Sequence, residues 1–204
     1  GKTKLGFNDA LLRPGSSFPL GMSARGIKKE AATRSPLQGA VRVIVVLVDF
    51  ADKKLSLPKK HYQDLFFSEG VVETGSVREY FTEVTNGKVK IAGEVVGPYQ
   101  LPKTKAAYAH GESGTGDALP NARTMAADAA KAANAAVDFS KYDNDHDGYV
   151  DAFVVIHAGS GAEETGKETD IWSHKWLLPQ EYNADGTHVF AYLTVPEDCK
   201  LGVC

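Results

Sequence analysis

An α/β domain built on a twisted mixed sheet is what this sequence predicts, and three features predict it. The first is a nearly continuous apolar, β-branched run, Val41 to Phe50, too hydrophobic to face water on either side. The second is an alternation of segments with helical period and segments with strand period along residues 59–195. The third is the Ala-rich stretch Pro120 to Val137, whose small side chains let a helix pack closely on a sheet. Together they give about four or five strands, at least two helices and an antiparallel edge strand.

Each element follows from its own pattern. Val41 to Phe50 is a central strand buried on both faces. Lys59 to Phe67 follows Pro58 and places Tyr62, Leu65 and Phe66 on one side of a short helix, which Gly70 stops. Ser76 to Thr85 is a second helix. Ser76 is its N-cap, Glu79 completes a capping box, and Val77, Tyr80, Phe81 and Val84 stand at helical spacing. Asn86-Gly87 turns the chain into a strand over Lys88 to Val96. Residues 103–118, rich in Gly, Ser and Thr, read as a long exposed loop. The Ala-rich helix carries Met125, Ala129, Ala132 and Ala136 along one stripe. Ala152 to His157 is a strand, His157 to Glu164 a flexible turn, and His188 to Val195, after Asp185-Gly186, the last strand. Residues 1–36 lack periodicity and read as an extended arm or propeptide remnant, ahead of a body over residues 37–204.

Composition bounds the function. The 204 residues suffice for one domain with a sizeable core. The formal net charge is −3, but residues 1–36 carry +5 and the remainder −8. An acidic body disfavours nucleic acid as a partner and suits a cation. No apolar run reaches the roughly 18 residues of a membrane span. Cys199 and Cys204 close on each other across a short turn or pair outside the chain; the sequence leaves both open.

The strongest chemical signal is Asp143-Asn144-Asp145-His146-Asp147-Gly148-Tyr149-Val150-Asp151. Carboxylates this dense repel one another unless a cation sits among them. Alternation lets the side chains of Asp143, Asp145 and Asp147 converge while Gly148 supplies the turn. Tyr149 adds a backbone carbonyl and Asp151 a further carboxylate. These are all oxygen donors, so the expected ion is Ca²⁺. The order follows the first nine positions of an EF-hand loop, but Val154 stands where the bidentate glutamate would be and an apolar strand replaces the second helix. The expectation is a calcium loop feeding a strand, against the alternative of a solvated acidic turn. A weak calcium site fits an extracellular setting.

Other chemistry is not legible. No two of the six histidines are spaced i, i+4, there is no C-x-x-C pair, and neither a nucleophile elbow nor a phosphate loop is present. His157, before a glycine turn, reads as a hydrogen-bonded structural histidine ahead of a catalytic one, and His174 likewise as structural; Glu163 and Glu164 read as a solvated turn ahead of acid/base groups or further calcium ligands, and Trp172 and Trp176 as core or loop anchors ahead of a ligand stack.

Five stretches in their order resemble one family: Val41 to Phe50, Ser76-Val77-Arg78-Glu79-Tyr80-Phe81 with Asn86-Gly87-Lys88, Asp143 to Asp151, His157-Ala158-Gly159-Ser160-Gly161, and Ile171-Trp172-Ser173-His174. Over roughly residues 40 to 204 the chain is similar to the immune inhibitor A-type secreted zinc metallopeptidases of bacteria. In that family a segment like Glu197 to Cys204 leads into a helix bearing H-E-x-x-H, whose histidines hold Zn²⁺ and whose glutamate is the general base. The resemblance implies the upper subdomain of a zincin-type peptidase, ending at Cys204 before that helix, with no zinc ligand or catalytic residue assignable within the chain. It implies protein or peptide substrates, the C-terminal remainder of the same domain as a partner, and a secreted, calcium-stabilised hydrolase that is inactive as this chain alone. It also implies that His188 to Val195 is the edge strand on which an extended peptide pairs, and that Cys199 and Cys204 pin the entry to the catalytic helix. The alternative from another class is a non-catalytic calcium-binding interaction or adhesion module.

Overall fold

In the computed structural model, which describes residues 38–197, five strands form one mixed sheet in the order β2-β1-β3-β5-β4. The elements run β1 (Gly39–Asp49), α1 (Lys59–Phe67), α2 (Val77–Val84), β2 (Val89–Gln100), α3 (Lys105–Ala109), α4 (Ala122–Ala133), a 3₁₀ turn (Phe139–Tyr142), β3 (Phe153–His157), α5 (Ala162–Thr165), β4 (His174–Ala184) and β5 (Thr187–Pro196). β1, β2, β3 and β5 are parallel and β4 is antiparallel to β5. The arm over residues 1–36 and both cysteines lie outside the described residues.

β1 is central as its composition requires, and it separates two cores. Ile44, Val46 and Val48 face α4; Val43, Val45 and Leu47 face α1 and α2. All but Val43 of these six are fully buried. β2 passes so close to β1 that a Cβ on Gly93, at φ +148°, would lie 1.9 Å from the Val43 carbonyl oxygen.

α4 buries Ala122, Met125, Ala126, Ala129, Ala130 and Ala133. These methyl-sized side chains bring its backbone close to the sheet, so an added isobutyl group would overpack it by about 1–3 kcal/mol. Asn121 caps the helix with a full capping box. Arg123 lies over the Trp176 ring, 4.9 Å from its centroid, and donates to the Leu177 and Leu178 carbonyls. One side chain thus ties the helix to the edge strand.

The structure departs from the sequence-based expectations in five places. The loop over residues 103–118 contains α3, which buries Tyr108 and Ala109. The turn over residues 157–164 contains the start of α5. The buried stripe of α4 ends at Ala133, and Ala136 is exposed. On α2 the capping box forms, but Tyr80 and Val84 are 61% and 57% exposed rather than core. Finally, β5 is not the edge strand. It lies between β3 and β4, because residues 174–184 form a strand the sequence does not announce. Pro179 and a register shift between Leu177 and Tyr182 interrupt the alternation that would have marked it.

Candidate metal centre

The acidic loop sits at the amino end of β3. Asp143 curls it: one carboxylate oxygen accepts from the Asp147 N–H and the other from the Gly148 N–H, each at 3.0 Å. Gly148 turns at φ +91°, a conformation that favours glycine. Asp147 Oδ1 accepts from the Tyr149 N–H at 2.9 Å, and Asp151 Oδ2 from the Asn144 N–H at 2.6 Å.

The fold brings Asp143, Asp145 and Asp151 together, with one oxygen of each within 4.8 Å of the others. Asp147 is not among that group. The Tyr149 hydroxyl points away and donates to Glu181 Oε1 at 3.1 Å, on β4. Asp151 shows the electrostatic consequence. Burial, together with the charges of Asp145 and Asp147, holds its carboxyl above the usual carboxylate range despite the Asn144 hydrogen bonds. The trio offers only oxygens, a donor set for a hard cation and not for zinc. Among the described residues it is the one such group of three metal-ligating side chains, and the residues described do not build a zinc site.

Sequence reasoning missed what holds the loop. Asn144 Oδ1 accepts from the Arg42 N–H at 2.7 Å and its Nδ2 donates to the Arg42 carbonyl at 3.0 Å. Its amide therefore stands where a strand residue would pair with β1, extending the ladder past the start of β3. On the other side the Val150 N–H donates to the His188 carbonyl, and the His188 N–H to the Gly148 carbonyl, both at 2.9 Å. An asparagine between two acidic positions carries no pattern that would have revealed this.

The opposite, carboxyl end of the parallel strands gathers the remaining candidates. His157 ends β3 fully buried; its Nδ1 lies 3.2 Å from the Ala158 carbonyl and its Nε2 has no hydrogen-bond partner. His174 opens β4, with Nδ1 2.6 Å from the Trp172 carbonyl and Nε2 accepting from the Tyr192 hydroxyl at 2.7 Å. Burial pushes each imidazole down to about 4. Glu163 accepts from the Ser173 N–H and hydroxyl. Lys105 and Asp170 form an ion pair with little exposure. Trp172 is half-buried and Trp176 buried.

A mixed α/β sheet with this acidic loop defines a class of architecture; the family comes from comparison with known proteins. A family model described as "Immune inhibitor A peptidase M6, catalytic domain" matches residues 33–204. The chain belongs to this peptidase family. It is also 27% identical over 246 aligned residues to Immune inhibitor A of Bacillus thuringiensis subsp. alesti, an alignment that takes in 93% of this chain and 36% of that protein. The chain thus spans little more than a third of that relative. No helix among the described residues is long and apolar enough to cross a membrane.

Proposed function

We propose that this chain is the N-terminal portion of a secreted, calcium-stabilised zinc endopeptidase that hydrolyses peptide bonds in proteins. The observation that carries the reading is the peptidase-family match over residues 33–204. Residues 37–204 would be the upper subdomain of the zincin-like catalytic domain, and residues 1–36 an arm or propeptide remnant. Zinc belongs to the part of the domain beyond the described residues, where its ligands and the general base would be found. What this chain contributes is the sheet, the loop and the substrate edge.

Calcium would bind at Asp143, Asp145 and Asp151, with Asp147 and the Tyr149 carbonyl completing the set. The three gathered carboxylates and the raised Asp151 support it. Because the loop is hydrogen-bonded to both β1 and β5, a cation there would brace the segment joining α4 to the sheet. The substrate edge passes to β4, which has no second strand partner among the described residues. An extended peptide lying along it would pair through backbone groups, which gives affinity with little sequence preference.

The test is to express the full-length protein and this chain separately, measure zinc content and assay casein cleavage. The full-length protein should hold about one zinc per chain and cleave casein in a chelator-sensitive way, while this chain alone should not cleave it. Zinc-dependent cleavage by the pure 204-residue chain would overturn the division of labour. A full-length protein free of zinc and of peptidase activity would overturn the whole reading.

A further inference from the structure

Glu197 is the residue that follows β5, and it is 7% exposed. A carboxylate so placed needs compensation, and no cation supplies it among the described ion pairs. Instead, N–H and O–H groups from two loops converge on it. Oε2 accepts from the Ser56 N–H at 2.5 Å and the Ser56 hydroxyl at 2.6 Å, both in the loop between β1 and α1. Oε1 accepts from the Gly159 N–H at 2.6 Å, in the turn between β3 and α5. The main chain of the same residue is held as well. Its N–H donates to the His157 carbonyl at 2.8 Å, and its carbonyl accepts from the Tyr62 hydroxyl of α1 at 3.2 Å. Burial by itself would raise the carboxyl, but the hydrogen bonds from Ser56, Gly159 and Leu57 outweigh it and hold Glu197 below its ordinary range.

Every polar group of this one residue is therefore pinned: the carboxylate by the loops that follow β1 and β3, the main chain by the last residue of β3 and by α1. The carboxyl edge of a parallel sheet is where α/β proteins build sites. We infer that Glu197 is a positioning residue of the peptidase: its carboxylate locks the β1–α1 and β3–α5 loops to the end of β5 and so fixes these two loops relative to each other. The inference rests on the peptidase reading above. A carboxylate accepts at both oxygens without offering a donor of its own. In Glu197→Gln the amide nitrogen would set a donor against the Ser56 N–H or the Gly159 N–H, so one loop loses its backbone hydrogen bond to this side chain.

The test uses the full-length protein, assayed on a quenched peptide well below its melting temperature, with the rate of zinc release to a chelator read alongside. E197Q is expected to lower kcat by about tenfold or more, since displacements near 1 Å far from the chemistry reach about a hundredfold. KM should stay within about twofold and zinc release should quicken, because alignment and not substrate contact is lost. Ser56→Ala, which removes one hydroxyl donor, should give the same pattern in smaller measure. A folded E197Q with wild-type kcat and zinc release, or one that changes KM alone, overturns the inference. Should E197Q fail to fold, S56A decides in the same terms: slowed turnover with faster zinc release supports it, and wild-type behaviour overturns it. A wild-type protein without zinc or activity removes the peptidase reading first, and the inference with it.

Discussion

Asp151 and Glu197 are carboxylates at opposite ends of the same parallel strands, and the fold treats them in opposite ways. Asp151 precedes β3 with two further carboxylates within reach, and it is held above the usual range. Glu197 follows β5 with hydrogen-bond donors of two loops directed at it, and it is held below. Both are partly or wholly removed from water. The difference is the supply of donors. Where backbone N–H groups outnumber the negative charges, the protein completes its own site. Where carboxylates outnumber donors, the repulsion is left uncompensated by the protein's own groups, which is the basis for proposing a cation there.

The comparison can be broken by pH, and that is where the largest effect lies. His157 and His174 are buried and neutral at the carboxyl end, each pushed to about 4 from 6.5. A depressed imidazole costs nothing above pH 6.5. As pH falls toward 4 the unfolded chain takes up protons that the folded one refuses, a loss of about 3 kcal/mol for each histidine. Glu197 adds to it below its ordinary range, because a lowered carboxyl loses its contribution as it protonates. Asp151 has the reverse sign without calcium: its raised carboxyl means that stability falls as pH rises through the carboxylate range. Amide hydrogen exchange in chelator at stepped pH separates the ends. Gly159, whose N–H donates to Glu197, should lose more protection in acid than Val150, whose N–H donates to the His188 carbonyl beside the acidic loop, and equal losses would dissolve the contrast.

Next in size is Glu197→Ala. It strands the Ser56 and Gly159 donors in a buried place, and thermal melts should show a loss of about 3 kcal/mol that calcium does not restore. Restoration by calcium would mean that the two ends are not independent. Calcium itself should stabilise the protein by about 2.7 kcal/mol when present at a hundred times its dissociation constant. Asp145→Ala should remove that gain and have little effect in chelator, so equal destabilisation in both conditions counts against the metal. The smallest effect is expected from Asn144→Ala. Losing the amide clamp on Arg42 should cost about 1 kcal/mol, with or without calcium, because the clamp belongs to the sheet.

What was legible in the sequence was local chemistry. The span of α1, the Ser76 capping box on α2 and the Asp185-Gly186 turn between β4 and β5 were readable because each depends on a few neighbouring residues. α3 was not, since Tyr108 and Ala109 earn their burial from distant partners in a segment of loop-like composition. β4 hid behind Pro179 and its register shift, and missing it misplaced the sheet edge onto β5. The candidate metal loop announced itself through the regular spacing of its carboxylates. Its clamp at Asn144 and the joint at Glu197 did not, because each depends on a partner more than 100 residues away: Arg42 at a separation of 102 and Ser56 at 141.

The most direct test is a calorimetric titration of calcium into the chelator-stripped protein, paired with thermal melts of wild type and Asp145→Ala. The account predicts one saturable binding event, a raised melting temperature, and the loss of both in the variant. No heat and no shift in melting temperature up to about 10 mM calcium, beyond the range of weak extracellular sites, would contradict it and leave the loop a solvated acidic turn.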